Sequence, residues 1–512
     1  MFQMNVAAAS MPENLNDCDS QFANWLSSVR RSTVSAESVA FFRVVLGGTL
    51  MWWSAHYLLS GRAHWLCSSD FMHLKWPGFG WVPTPGAIGA TVLFSVVFVA
   101  GVLVCAGAFA RAAAGTACAG LTWFLLTDQT NYQNHYYLLL LLTGLAAILP
   151  LSRVMALDAE PSADGGLIAF ATLLLLRFHL ALPYVFGGLS KIDPEWLSAR
   201  PMQLMLADLT GFAPESTLCF VFSRVLAWGG LVFDLSIVPL LLWSRTRKPA
   251  FLLLVLFHLC NALLFPIHVF PWFMIGASTI FLAPDWPRHL LPGRVAVCPA
   301  TIEPGSFAAT AVPPKPPQPG LMLLACGWCL LQLLLPLRHL VIPGDASWTE
   351  EGHFFAWRMM LRGKTGEVHF LATRAADGRS WLADHRRLLH AEQKSRFAAD
   401  PEMIRQTAGM IATIHRQQTG ESIEVRALAL ASLNGREPAL LIDPEVDLAA
   451  ESHFRLHQNW ILPKPELSRN WHRQPPGNWV TRSRLPERWK AALGVNHQPD
   501  SASGLANVRT SH

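Results

Sequence analysis

Lys191 stands in the run Gly187-Gly188-Leu189-Ser190-Lys191-Ile192-Asp193-Pro194-Glu195-Trp196, where a long apolar segment ends. A lysine at such a point either snorkels its ammonium to the interface or lies against an apolar cavity. A buried lysine beside such a cavity loses its proton more readily, because desolvation disfavours the charged form, and so becomes a credible general base. Other polar residues recur near the ends of apolar runs. Asn134 and His135 belong to the cluster Asn131-Tyr132-Gln133-Asn134-His135-Tyr136-Tyr137, which reads either as an aromatic interfacial belt or as part of a site. His258 and Asn261 lie one helical turn apart, where they serve either as interhelical glue or as pocket groups. Arg177, His179 and Asp234 fall deeper in apolar runs, where ionisable groups are costly and are held for a pathway, a site or a mutual pair such as Arg177 with Asp234.

The elements that must position these residues are membrane helices. The chain has 512 residues, 52% hydrophobic and only 15% charged, with 20 Trp, which is too apolar for a soluble protein of this size. Apolar runs at 39–59, 87–110, 112–127, 137–151, 167–189, 218–243, 250–265, 267–283 and 321–340 predict about nine spans, judged against the ~20 residues that a bilayer requires. The net charge of +5 reports loop residues and lipid head groups, and no basic stripe interleaved with aromatics points to a nucleic acid. The polar first 35 residues lack the basic start and short apolar core of a cleaved signal. Scattered cysteines inside apolar runs, among them Cys105, Cys118, Cys260, Cys326 and Cys329, read as small hydrophobes rather than disulfide partners.

Basic residues orient the spans. Arg30, Arg31, Arg111, Arg153, Arg245, Arg247, Lys248, Arg288 and Arg294 all fall on one side of a nine-span chain, which makes that side cytoplasmic. The same count places Asn134, His135, Lys191, His258 and Asn261 at one depth near the opposite, exoplasmic face. The expected organisation is a cytoplasmic N-terminal segment (1–37), a transmembrane helical domain (38–298), a Pro-rich linker (299–319), a last transmembrane helix (320–340), an exoplasmic α+β domain (341–495) and a disordered tail (496–512). In the α+β domain, Asp377-Gly378 and Asn434-Gly435 are hairpin dipeptides between strand-like runs, and 401–418 carries helical periodicity.

At this point the sequence resembles the vitamin K-dependent gamma-carboxylase family, in the bacterial branch described as horizontally transferred transmembrane domain proteins. The resemblance runs through Asn134-His135-Tyr136-Tyr137, Gly187 to Trp196, Phe233-Asp234-Leu235-Ser236, Phe257-His258 with Asn261 and Phe265, Phe281 with Pro284-Asp285-Trp286-Pro287, Trp348-Thr349-Glu350-Glu351-Gly352 and Trp357-Arg358-Met359-Met360. It implies that Lys191 is the base that deprotonates a reduced quinone, that His135 assists the oxygenated intermediate, and that Asn134 supports the same site. His258, Asn261, Tyr136, Trp196 and Asp234 are then expected to line the quinone pocket. The implied reaction oxidises a reduced vitamin K or menaquinone to its epoxide with dioxygen. The resulting strong base removes the γ-proton of a glutamate in a peptide, and the carbanion captures carbon dioxide. Such a carbanion needs solvent exclusion. The sequence departs from the animal enzymes at Ser190, where they carry a second lysine, and resembles them weakly after about 361, the region expected to recognise peptide.

Other signals point elsewhere and are set aside. Gly363-Lys364-Thr365 lacks the earlier glycine of a phosphate loop, Arg358 standing in its place. Cys326 and Cys329 sit inside an apolar span with no oxidoreductase context. No histidine spacing suits a metal, and none is expected. Two further readings stay open: a non-catalytic membrane module that assists export or maturation of a peptide, and a transporter using Arg177, His179 and Asp234.

Overall fold

The computed structural model describes residues 24–67, 71–159, 166–265, 267–290, 315–453, 455–467 and most of 471–494. The expected disordered tail, most of the N-terminal segment and most of the Pro-rich linker lie outside the described residues. Two compact units emerge: the first takes in the chain up to Val341 together with Gly352–Leu361, the second Ile342–Glu351 and the chain from Arg362 onward.

The first unit is helical. Its helices are α1 (Glu37–Leu59), α2 (Gly86–Ala106), α3 (Ala110–Thr127), α4 (Asn134–Ile148), α5 (Phe170–Ser190), α6 (Arg200–Thr210), α7 (Thr217–Leu242), α8 (Arg247–Leu264), α9 (Phe270–Ala277) and α10 (Pro319–Leu334). All nine expected apolar runs are helical, but among the described residues six helices are long and apolar enough to cross a membrane: α1, α2, α5, α7, α8 and α10 with its continuation to Leu340. The expectation of about nine spans is therefore not confirmed. At 15 residues, α4 reaches roughly 22 Å at 1.5 Å per residue, short of a ~30 Å hydrocarbon core. The helix Phe270–Phe281 is also short, and α3, rich in Ala, Gly and Thr, falls outside the six. The chain is a multi-pass membrane protein.

Uniform apolarity explains the long helices. On α2 one face buries Ala90, Phe94, Val97, Ala100 and Val104, while Ile88, Val92, Val96 and Val99 on the other face remain exposed. A helix apolar all round suits a bundle bathed in lipid. A short antiparallel ribbon, Thr33–Ser35 (β1) against Leu167–Ala169 (β2), ties the starts of α1 and α5 together; the apolar pattern had folded Leu167 into the span. The last helix, α10, is mostly exposed and is pinned by two polar bonds: Trp328 Nε1 donates to His179 Nε2 at 2.9 Å, and Tyr137 Oη to Gln332 Oε1 at 2.9 Å. In lipid, packing and hydrogen bonds of this kind hold helices together.

The segment Gly352–Leu361, expected in the α+β domain, packs instead with the first unit. Phe355 N donates to Tyr132 Oη at 2.9 Å, Phe354 and Phe355 lie 4.9 and 5.3 Å from the Trp76 ring, and Trp357 lies 5.2 Å from Tyr137. Aromatic burial outweighs the polar character that set the boundary at 341.

The second unit is an antiparallel four-stranded sheet, with order β4 (Ser380–Ala383), β3 (Lys364–Arg374), β5 (Ile423–Leu433), β6 (Ala439–Leu440). The helix α11 (Pro401–Thr419) packs on it, as do the shorter helices Ala391–Phe397 and Glu487–Leu493. Both expected hairpin dipeptides turn the chain, and Asn434 and Gly435 take φ of 52° and 72°, the paired positive values that favour Asn-Gly in a two-residue turn. Asp400 caps α11, accepting from Glu402 N at 2.9 Å.

The contact that matters most for the site is the crossing of α5 and α7 at Gly187-Gly188. A Cβ on Gly188 would lie 2.7 Å from Leu235 Cδ2 and 3.1 Å from its backbone nitrogen. Gly188→Ala is therefore expected to cost about 1–3 kcal/mol through overpacking. Gly229→Ala on α7, with open space around the new methyl, should be neutral or stabilising by up to about 1 kcal/mol. Thermal midpoints of the two variants in detergent check the contrast; equal midpoints would contradict the close approach.

Candidate active site

Tyr184, Gly187, Gly188 and Lys191 follow one another at i, i+3, i+4 and i+7 on α5, and so share a face. Lys191 is the residue that closes the helix, its N–H bonding to Gly188 O at 3.0 Å. The chain then turns sharply, because Asp193 accepts from Glu195 N at 2.9 Å and starts the short helix Pro194–Leu197. That turn swings Trp196 back over the lysine: its ring centroid is 5.2 Å from Nζ, and its own Nε1 donates to Ala227 O on α7 at 2.9 Å.

Lys191 is 6% exposed. Its Nζ donates to Asp234 Oδ2 on α7 at 2.6 Å and to Gly187 O at 3.3 Å. This corrects the expectation of a lone amine against an apolar cavity. An ammonium taken out of water needs a compensating charge, and the glycine pair lets α7 bring one close: a Cβ on Gly187 would meet Asp234 Oδ2 at 3.4 Å and Met359 Cε at 3.3 Å. The alternative of an Arg177–Asp234 pair is not what forms. Arg177 instead donates to Ile280 O at 2.9 Å and Leu282 O at 3.0 Å, clamping the end of the helix Phe270–Phe281.

The expected neighbours of Lys191 gather one step away. Asn134 Oδ1 accepts from Tyr132 Oη at 2.9 Å, and burial pushes the Tyr132 phenol up, which keeps it a donor. His135 packs edge-on to Tyr136 at 4.4 Å and lies 5.4 Å from Phe270. His258 also lies near Phe270, at 6.1 Å. His258 Nε2 and Tyr184 Oη are 2.7 Å apart, both residues being buried. Asn261 is half-buried one turn further along α8. Tyr136 Oη meets Tyr57 Oη at 3.1 Å inside the aromatic core. Neither Asn134 nor His135 touches Lys191, so the expected set separates into a lysine–aspartate pair with Trp196 and a histidine pair about Phe270.

Tyr184 joins the two. It sits two helical turns before Lys191 on the same face, bonds His258, and lies 6.1 Å from Phe233, the residue before Asp234. Phe233 stacks on Phe257 at 3.8 Å. The sequence reading missed Tyr184, although its spacing from Lys191 was available as a signal. An open apolar groove of about 580 Å³ between α2 and α3, lined by Val92, Val96 and Thr116 among others, includes none of these groups. Among the described residues no cluster of His, Cys, Asp and Glu is arranged to hold a metal ion. Gly363-Lys364-Thr365 opens the region of β3, with Lys364 Nζ 3.1 Å from Glu350 Oε1.

The pair makes a direct stability prediction. Asp234→Asn strands an ammonium in a dry site and is expected to cost about 3–5 kcal/mol, whereas Lys191→Met combined with Asp234→Leu should cost less than either single change. Unfolding midpoints in nanodiscs measure this. A double variant as damaged as the sum of the singles would mean that the two groups are independent.

Comparison with known families agrees with this architecture. Residues 31–286 match the HTTM domain, and residues 317–466 match the lumenal domain of vitamin K-dependent gamma-carboxylase. No solved structure gives a significant match. With the bundle and its buried lysine in one matched region and the sheet in the other, the chain belongs to the vitamin K-dependent gamma-carboxylase family, its membrane half formed by an HTTM domain.

Proposed function

We propose that this protein is a membrane enzyme that oxygenates a reduced naphthoquinone, a vitamin K or menaquinone quinol, to its epoxide and couples this to carboxylation of a peptide glutamate. The observation that carries the reading is the buried Lys191–Asp234 pair, 2.6 Å long, under Trp196. The surroundings suit a flat ring with oxygen substituents: Phe233, Phe257 and Phe270 offer aromatic faces, and buried His258 has an Nδ1 with no partner among the described residues. When bound, the quinol supplies, with dioxygen, the strong base that removes a glutamate γ-proton before carbon dioxide is captured.

The chain's own residues do three things in this reading. Lys191 and Asp234 form the base together. Their short hydrogen bond lets the ammonium pass a proton to Asp234 Oδ2, which uncovers the Nζ lone pair. Nζ then accepts a proton from its other side, and the pair gains one positive charge that stabilises the anion left behind. The aromatic side chains exclude water, which would otherwise quench a carbanion. His135 and His258, each near Phe270, orient the ring. In this reading the second unit receives the peptide on the exoplasmic side, as the basic residues of the opposite loops favour, and the bilayer delivers the quinone.

The test is epoxide formation by purified protein given reduced vitamin K or menaquinone. Lys191→Ala should lower turnover by about 10²-fold or more in the fraction that remains folded, and its thermal midpoint should fall as it does for Asp234→Asn, since it too strands one partner of the pair. A wild-type protein that makes no epoxide, or a folded Lys191→Ala variant with unchanged turnover, would contradict the assignment. Incorporation of labelled bicarbonate into glutamate peptides tests the second half of the reaction.

A further inference from the structure

Among the buried polar groups, the Tyr184–His258 pair is left with an unmet bond. Tyr184 is 4% and His258 2% exposed, their Oη and Nε2 are 2.7 Å apart, and His258 Nδ1 is buried without a hydrogen-bond partner among the described residues. A buried polar atom left unpaired costs free energy that is recovered when a ligand atom completes it. We propose that Tyr184 is a positioning residue which fixes the ring proton of His258 on Nδ1, so that Nδ1 donates to an oxygen of the quinone ring.

A neutral imidazole carries one N–H, and the hydrogen bond made by one nitrogen decides the role of the other. A phenol is the stronger donor of the two groups, so Tyr184 Oη donates to Nε2 and the ring proton resides on Nδ1. The His258 ring stands 6.1 Å from Phe270 and 5.4 Å from Phe257. Tyr184 shares its helix face with Lys191, so α5 carries both the base and the residue that sets the donor. A site with Lys191 and His258 as its polar ends selects a ring that bears two oxygens over one that bears a single oxygen. This inference rests on the quinone reading.

Binding of oxidised menaquinone to full-length protein in nanodiscs, followed by quenching of tryptophan fluorescence, tests it independently of turnover. Tyr184→Phe should weaken binding about tenfold, as expected for one buried hydrogen bond, and raise the KM for quinol similarly with kcat preserved. His258→Asn, whose amide nitrogen falls near the place of Nδ1, should retain binding within about threefold, and adding Tyr184→Phe to it should weaken binding no further. Unchanged affinity in Tyr184→Phe, or an equal loss in both backgrounds, overturns the positioning role and leaves the quinone reading standing. A wild-type protein that does not bind menaquinone overturns both.

Discussion

An ammonium in a dry helical bundle requires a carboxylate, and the contact between Lys191 and Asp234 meets that requirement at 2.6 Å. An isolated buried charge costs several kcal/mol even after relaxation, while a paired one with well-formed hydrogen bonds roughly breaks even. The demand shapes the surrounding backbone. Two adjacent glycines on α5 remove the side chains that would hold α7 away, and Leu235 fills the space that a Cβ at Gly188 would need. Trp196, swung back by the Asp193 turn, covers the pair from the side. Stability alone does not favour such an arrangement, since apolar residues would fill the same volume at no greater cost. In the proposed function the pair serves proton chemistry.

A pair of opposite charges is neutral as a unit, and this is why it suits a membrane site better than the single uncharged amine that the sequence first suggests. Protons can move between Nζ and Oδ2 without creating net charge in the low-dielectric interior. In the proposed function, protonation from outside produces one positive charge where a negative one forms on the ligand. The aromatic side chains around Phe270 and Phe233 keep water from competing for either. In the proposed function Tyr184 and His258, 2.7 Å apart, extend the same logic to a second buried polar pair.

Much of this was legible in the sequence because it depends on local pattern. The apolar runs are helices, Asn434-Gly435 turns a hairpin, and Lys191 stands where a span ends. Residues read as pocket groups on family resemblance, Asp234, Trp196 and His258, prove to be buried close to Lys191 or Tyr184. What pattern could not give is partnership over distance. Asp234 is separated from Lys191 by 43 residues, and nothing in either helix alone distinguishes that pairing from one with Arg177. Arg177 satisfies itself on backbone carbonyls, an option that hydropathy does not reveal. The span count is unconfirmed for a different reason, since a run such as 137–151 is apolar enough to read as a span while its helix, at 15 residues, falls short of the usual length. Gly352–Leu361 was misassigned because its burial comes from aromatic neighbours more than 200 residues away.

The central claim is that Lys191 and Asp234 act as one proton-accepting unit, and the protonation state of Asp234 reports it most directly. Infrared difference spectra of the wild-type protein, with and without reduced menaquinone under anaerobic conditions, should show a carboxylic acid C=O band that appears with ligand, shifts in deuterium oxide and is absent from Asp234→Asn. A spectrum in which the Asp234 carboxylate is unchanged by the quinol, in protein that demonstrably binds it, would contradict the account.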